Sequence, residues 1–189
     1  MPAEWERHEG TWLAWPHDPV TWPDRIPEVE STFAQMAAAL CKGERVEILV
    51  KDERTASRAA WALWARGATN VRLRAMPTAD SWIRDYGPTV LKRASGRGPA
   101  RSFVRWRFNA WGGKYKTLLK DDGIPDRLKL SMPRFAPGIV LEGGSIDVDG
   151  AGSVLVTEQC LLNPNRNTSL NRAEIEAYLR AFLGVRNVL

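Results

Sequence analysis

Cysteine is nearly absent. Cys41 and Cys160 are the only two in 189 residues, too few and too far apart for a disulfide framework, and no C-x-x-C pair offers a structural zinc site. Histidine is equally scarce. His8 and His17 are spaced for neither an H-E-x-x-H helix nor another compact metal motif, so no metal or other cofactor is expected. No run of eighteen apolar residues occurs, which leaves no candidate membrane span. The N-terminal "MPAEWERHEG" is charged where a signal peptide has its apolar core. With no disulfides to demand an oxidising compartment, a reducing cytoplasm is the expected location. The net charge is +5 and the pI about 9.5, yet no block of five like charges appears. RNA-recognition, KH and zinc-finger patterns are also missing, so no nucleic-acid partner is expected.

What is present suits a soluble globular chain: 44% hydrophobic residues, 26% charged residues and nine tryptophans. Tryptophan supplies core area and also covers the faces of flat cations. A helix–glycine–strand pattern occurs three times. Residues 27–42 place Val29, Phe33, Met36, Ala37 and Leu40 at helical spacing, with Pro27 in the first turn and Gly43 as a stop. The strand "RVEILV" (45–50) follows. Residues 53–67 predict a second helix, and "NVRLRAM" (70–76) a second strand. Near the end Asn171 caps a helix with Glu174 at the capping-box position. Its stripe is Ile175, Tyr178, Leu179 and Phe182, Gly184 stops it, and "VRNVL" enters a strand. Between the second and third copies lie the β-rich segments 88–93, 102–108, 144–150 and 152–162. The pattern predicts a mixed α/β repeat with short strands. Stacked repeats need closing neighbours or caps, so a chain that ends on entering a strand is expected to be part of a larger closed fold, with a complete domain ending on an edge strand as the alternative.

Four stretches hold candidate chemistry. "MPAEWERHEGTWLAWPHDPVTWP" (1–23) gathers four tryptophans and both histidines around a short strand at 11–16. "DSWIRDYGP" (80–88) connects two strands. It reads equally as an Asx-type turn closed by Gly87-Pro88 or as the wall of a site. "RWRFNAWGGKY" (105–115) alternates aromatic and basic residues, then breaks at Gly112-Gly113, where backbone can approach closely. Ordinary strand alternation explains its first half. "IVLEGGSIDVDGAGSVLVTEQCLLNPNRN" (139–167) ends an apolar run at Glu142. A carboxylate there needs a partner if it is buried, and a cationic ligand would serve; an exposed bulge is the alternative. The "DVDGAG" turn lacks the length and distal Glu of an EF-hand. Acidic groups beside tryptophan on glycine-rich loops suit a planar cation, because a guanidinium fork matches carboxylates.

In order, "MPAEWE…TWLAWP", "DSWIRDYGP", "FNAWGGKY", "LEGGSIDVDGAG" and "TEQCLLNPNRN" resemble agmatine deiminases of the bacterial peptidyl-arginine-deiminase-like family. The resemblance spans essentially all 189 residues but only about the N-terminal half of a typical member. It implies a pentein fold, a five-bladed α/β propeller of pseudo-fivefold ββαβ repeats. Roughly half of the blades would lie here, with residues 1–189 as a single incomplete domain. It implies hydrolysis of agmatine to N-carbamoylputrescine and ammonia, a step toward putrescine and the polyamines. In that chemistry a cysteine thiolate attacks the guanidinium carbon, ammonia leaves, and water releases the product from a covalent amidino intermediate. A histidine is the general acid and base. By motif position Asp85 and Glu142 resemble the carboxylates that hold the guanidinium, and Trp82 the aromatic wall. Arg84 is expected to support the loop.

The family's G-H-x-D histidine segment and glycine-rich cysteine segment have no match in residues 1–189. Cys160 falls in what the family resemblance implies is a structural strand, and Cys41 on the first helix; neither is expected to be the nucleophile. The chain alone is therefore expected to be inactive, with agmatine as the parent's small-molecule substrate. Deimination of peptidyl-arginine or arginine stands as an alternative. So does a non-catalytic guanidinium-binding half-protein that pairs with a missing C-terminal half. A homo-oligomer is a further expectation.

Overall fold

The structure is a computed structural model covering residues 1–189. It forms two compact units, Arg7–Ile83, and Met1–Glu6 with Arg84–Leu189. No helix is long and apolar enough to cross a membrane.

In the unit Arg7–Ile83, the strands β1 (Gly10–Ala14), β2 (Arg45–Val50) and β3 (Val71–Ala75) pair in parallel in that order. Helices α1 (Ile26–Leu40) and α2 (Glu53–Ala65) make the two crossovers. A parallel strand covered on both faces needs a nearly continuous apolar run. The central β2 has one, with every residue from Val46 to Val50 buried. Pro27 lies in the first turn of α1, and the Asp52 carboxylate caps α2 by accepting from the Thr55 amide at 2.8 Å. The core joins Trp15, Ala34, Ala37, Val46, Ile48, Val50, Ala59 and Leu63. Met36, expected in the apolar stripe of α1, is exposed, and Ala34 takes the inward place. The small Ala34 and Ala37 let the helix sit close to the sheet.

Glu47 interrupts the apolar run of β2 and is almost wholly buried. Arg74 donates to one carboxylate oxygen at 2.6 Å, and Arg45 lies 2.8 Å from the other. Burial acts to raise its pKa. The hydrogen bond and charge of Arg74, helped by Arg45 and Arg72, outweigh burial and hold it below the ordinary value. Arg74 also lies over the Trp12 ring, 5.4 Å from its centroid.

The other unit contains two sheets of one design. Strands β4 (Thr89–Lys92) and β5 (Arg101–Val104) pair antiparallel, and β6 (Arg134–Phe135) joins β5 in parallel. Likewise β7 (Ile146–Val148) and β8 (Ser153–Val156) are antiparallel, with β9 (Asn187–Val188) parallel to β8. Short helices α3 (Ile83–Tyr86), α4 (Ala110–Gly113), α5 (Ile124–Arg127) and α6 (Glu158–Leu161) punctuate the connections, and α7 (Arg172–Leu183) makes the last crossover. Asn171 and Glu174 close the capping box on α7, and Gly184 ends it in the left-handed region at φ 69°. Ile175, Leu179 and Leu183 reach the core with Val104, Trp106, Leu141 and Val154.

Three segments depart from the strands expected from sequence. Residues 102–108 leave the ladder after Val104. Their amides continue to bond a parallel segment, Arg105 to the Phe135 carbonyl and Arg107 to that of Ile139. Pro137 has no N–H and Gly138 sits at φ 87°, so the partner kinks and the register shifts. The alternation survives in burial, with Val104, Trp106 and Phe108 inside. The segment 144–150 is strand only from Ile146, because Gly143–Ser145 form a 3₁₀ turn. The segment 152–162 ends as strand at Val156. Cys160 therefore lies in the helical turn α6 and not in a strand.

Replacing Glu47 by Ala is predicted to cost about 1–2 kcal/mol in chemical denaturation, below the ~3–5 kcal/mol of fully buried pairs because both arginines reach solvent. Because its folded pKa is lowered, the Glu47 contribution is present above the unfolded value and is lost as pH falls through the folded one. The gap between parent and variant should shrink in acid. A constant gap would contradict this account.

Candidate functional site

Asp85 lies on α3, in the unit that also holds Glu142. The approach between their two segments depends on glycine. A Cβ on Gly143 would strike the Arg84 carbonyl, and one on Gly144 would lie 2.5 Å from Asp85 Oδ1. Without those carbons the 3₁₀ turn lies flat against α3, and the Gly144 amide donates to Asp85 Oδ1 at 2.9 Å. Arg84 is turned to the Glu4 carboxylate, which accepts from both terminal nitrogens. This is the loop-supporting role the sequence suggests.

The second oxygen of Asp85 accepts from the Trp111 indole at 3.1 Å. Trp111 is aimed by an unusual backbone. Ala110, Trp111, Gly112 and Gly113 all have φ between 55° and 79°, one turn of left-handed helix. Its bonds run from the Gly113 amide to the Asn109 carbonyl at 2.8 Å and from the Lys114 amide to the Ala110 carbonyl at 3.0 Å. Such φ values cost roughly 1–2 kcal/mol per non-glycine residue. Strain of this kind persists only where surrounding contacts over-determine it, and it clusters at functional sites. Here Asn109 caps the turn by accepting from the Gly112 amide at 2.8 Å, and edge-to-face contacts hold Trp111 between Phe108 and Tyr115.

Glu142 is buried, 3% exposed, so of the two readings open from sequence the exposed bulge falls. Part of its partnership is internal. Arg166 Nε donates to Oε1 at 2.6 Å, and the Cys160 thiol donates to Oε2. Asn167 holds this segment in place. Its side chain accepts from the Val140 amide at 2.9 Å and donates to the Val140 carbonyl at 3.0 Å.

Burial, above all, raises the pKa of Asp85, and the negative charge of Glu142 adds to it. The Gly144 and Trp111 donors and the Arg84 charge pull the other way. Two carboxylates that feel each other this way repel when both are ionised and attract a cation between them. The Cys160 thiol is pushed up to about 12, first by burial and then by its bond to Glu142. It stays protonated at neutral pH and is a donor, not a thiolate nucleophile. Cys41 is buried in the unit Arg7–Ile83, with its thiol toward the Ala38 carbonyl at 3.4 Å.

Trp82 belongs to the unit Arg7–Ile83. Its ring stacks on Trp22, centroids 5.8 Å apart, and its indole donates to Asp80 at 2.7 Å. Asp80 is fully buried and also accepts from Thr21 at 2.6 Å. No group of three His, Cys, Asp or Glu residues is arranged to hold a metal ion. Trp111, Cys160 and Arg166 were not singled out from sequence as site residues. The Gly112-Gly113 pair was the available signal for the first, and the shared "NPNRN" motif for the last.

With this geometry established, the comparisons with known proteins become specific. The family model of the Porphyromonas-type peptidyl-arginine deiminases matches residues 1–189, and the chain belongs to that family. Among its relatives are agmatine deiminases of Stutzerimonas stutzeri, 40% identical over 201 residues, and of Medicago truncatula, 38% identical over 202. All of this chain aligns, against 51% and 52% of those proteins; the chain spans about half the length of the curated relatives it matches. The solved agmatine deiminase of Enterococcus faecalis superposes with a TM-score of 0.88 at 32% identity, covering 100% of this chain and 52% of that one. The fold is accordingly that of the pentein deiminases, of which this chain carries roughly half.

Gly112 and Gly113 provide a test of the left-handed turn. Both have positive φ, but a Cβ on Gly112 would collide with Asn165 and Arg166, whereas Gly113 has open space. Gly113→Ala is predicted to cost about 1–2 kcal/mol from backbone strain alone. Gly112→Ala should cost at least twice that in urea denaturation. Equal losses would contradict the contact between this turn and the Arg166 segment.

Proposed function

We propose that residues 1–189 carry the guanidinium-holding part of an agmatine deiminase. The observation that carries this reading is the electrostatic coupling of Asp85, half-buried, and Glu142, buried, in one unit of the fold. With Arg166 included, the formal charges of two carboxylates and one guanidinium sum to one negative charge, which complements a monocation. A guanidinium donates from several N–H groups in a plane, and two carboxylates can grip two of its edges. That grip fixes the guanidinium carbon for attack.

The parent reaction is agmatine plus water to N-carbamoylputrescine plus ammonia, in putrescine formation, and its expected location is the cytoplasm. The attacking thiolate and proton-transferring histidine have no suitable counterpart among residues 1–189, since Cys160 is held as a thiol and Cys41 faces a carbonyl. The chain therefore binds substrate without turning it over, and pairing with a C-terminal half would supply what is missing. The family resemblance gives Trp82 a substrate-facing aromatic role, and its ring is held by stacking on Trp22.

Calorimetry with agmatine tests this. The chain should bind it and release no carbamoyl product. Asp85→Asn and Glu142→Gln should each weaken binding by about tenfold or more, the size expected for losing a hydrogen bond to a charged group. A cation needs Asp85 ionised. Since the Asp85 pKa is raised, affinity should fall in acid with a midpoint above the ordinary aspartate value of about 3.9, and Asp85→Asn should remove that transition. Undiminished binding by both variants would overturn the assignment. Tighter competition by arginine peptides than by agmatine would move the substrate to the peptidyl-arginine class.

A further inference from the structure

Glu142 is gripped by both of its oxygens, and neither donor belongs to the proposed reaction. Arg166 Nε holds Oε1 at 2.6 Å, and the Cys160 thiol holds Oε2. The Arg166 side chain is itself only 10% exposed. An ionised carboxylate offers about four acceptor sites, so two donors leave the others for a ligand. The donors come from α6 and the segment after it, and both are anchored independently of Glu142. Leu161, next to Cys160, is buried in the core at 1% exposed. Asn167, next to Arg166, is bonded to both backbone groups of Val140. Asn109 donates to the Asn165 carbonyl at 2.8 Å, and the bare Cα of Gly112 leaves room for Asn165 and Arg166.

We propose that Cys160 and Arg166 are positioning residues that lock the Glu142 carboxylate from both oxygens, fixing its rotation and leaving its remaining acceptor sites for a guanidinium ligand. The proposal rests on the guanidinium-binding reading above. A lone buried carboxylate is costly and free to rotate or take up a proton. Arg166 offsets the burial cost with a charge, and the thiol adds a neutral donor on the far oxygen. A neutral donor suits that place, because a second arginine would cancel the negative charge that draws the substrate.

Two measurements on the full chain test this, the first without any ligand. In a Cys41→Ser background the only S–H stretch in the infrared belongs to Cys160. It should lie at lower wavenumber than the Cys41 band, assigned in Cys160→Ser, because the Cys41 thiol meets only a carbonyl at 3.4 Å. Coincident bands would overturn the clamp whether or not agmatine binds. The second is agmatine affinity by calorimetry, read beside the melting temperature. Cys160→Ser keeps an O–H donor and should bind within about twofold of the parent, whereas Cys160→Ala should bind about tenfold more weakly. Arg166→Gln should lose about tenfold or more, since a charge-assisted bond is lost. A merely structural role would lower the melting temperature of Cys160→Ala and leave its affinity equal to that of Cys160→Ser, and that result would overturn positioning. A low-lying S–H band in a chain that does not bind agmatine would instead sink the functional reading, and the positioning role with it.

Discussion

Bringing two like charges together in a half-dry place is the constraint on which the second unit is organised. Asp85 and Glu142 repel when ionised, and burial penalises both charges. Several otherwise odd features of the sequence serve this arrangement. The glycines at 143 and 144 let two backbone segments meet at a distance that any side chain would prevent. The left-handed turn at Ala110–Gly113 holds a strained backbone so that one indole N–H reaches Asp85. The Asn167 side chain pairs with Val140 as a neighbouring strand would, and it carries Arg166 to Glu142.

Buried carboxylates elsewhere in the chain are treated differently. Glu47 has an arginine on each side, and the result is a lowered pKa and a contribution to stability. Asp80 is surrounded by the hydroxyl of Thr21, the Ser81 amide and the Trp82 indole. Asp85 has N–H donors on both oxygens, but they do not overcome burial and the charge of Glu142, so its pKa is raised. Glu47 is compensated by built-in cations and Asp80 by neutral donors, whereas Asp85 is left incompletely compensated beside a second carboxylate, the arrangement on which the proposed guanidinium role rests.

Much of the architecture was legible because its signals are local. The capping box of Asn171 and Glu174, the stop at Gly184 and the strand 45–50 follow from neighbouring residues, and all three stand in the structure. Misreadings arose where tertiary bonding intervened. Residues 105–108 alternate like a strand and are buried like one, but Pro137 and Gly138 break the partner segment some thirty residues away. Cys160 follows an apolar strand without a turn signal, yet the chain coils at Glu158 and buries Leu161. Asp85 and Glu142 were proposed from motif position. Trp111, Cys160 and Arg166 reach them only through folding, and the Gly112-Gly113 pair and the "NPNRN" motif mark two of these positions without announcing the contact.

The central claim is that Asp85 and Glu142 together receive a guanidinium. The most direct test follows, by proton–nitrogen correlation NMR, the two donors already on Asp85 while agmatine is added to the chain. The Gly144 amide and Trp111 indole signals should both shift with a single saturating curve, and that movement should vanish in Glu142→Gln. Signals that stay fixed while agmatine binds elsewhere would contradict the account.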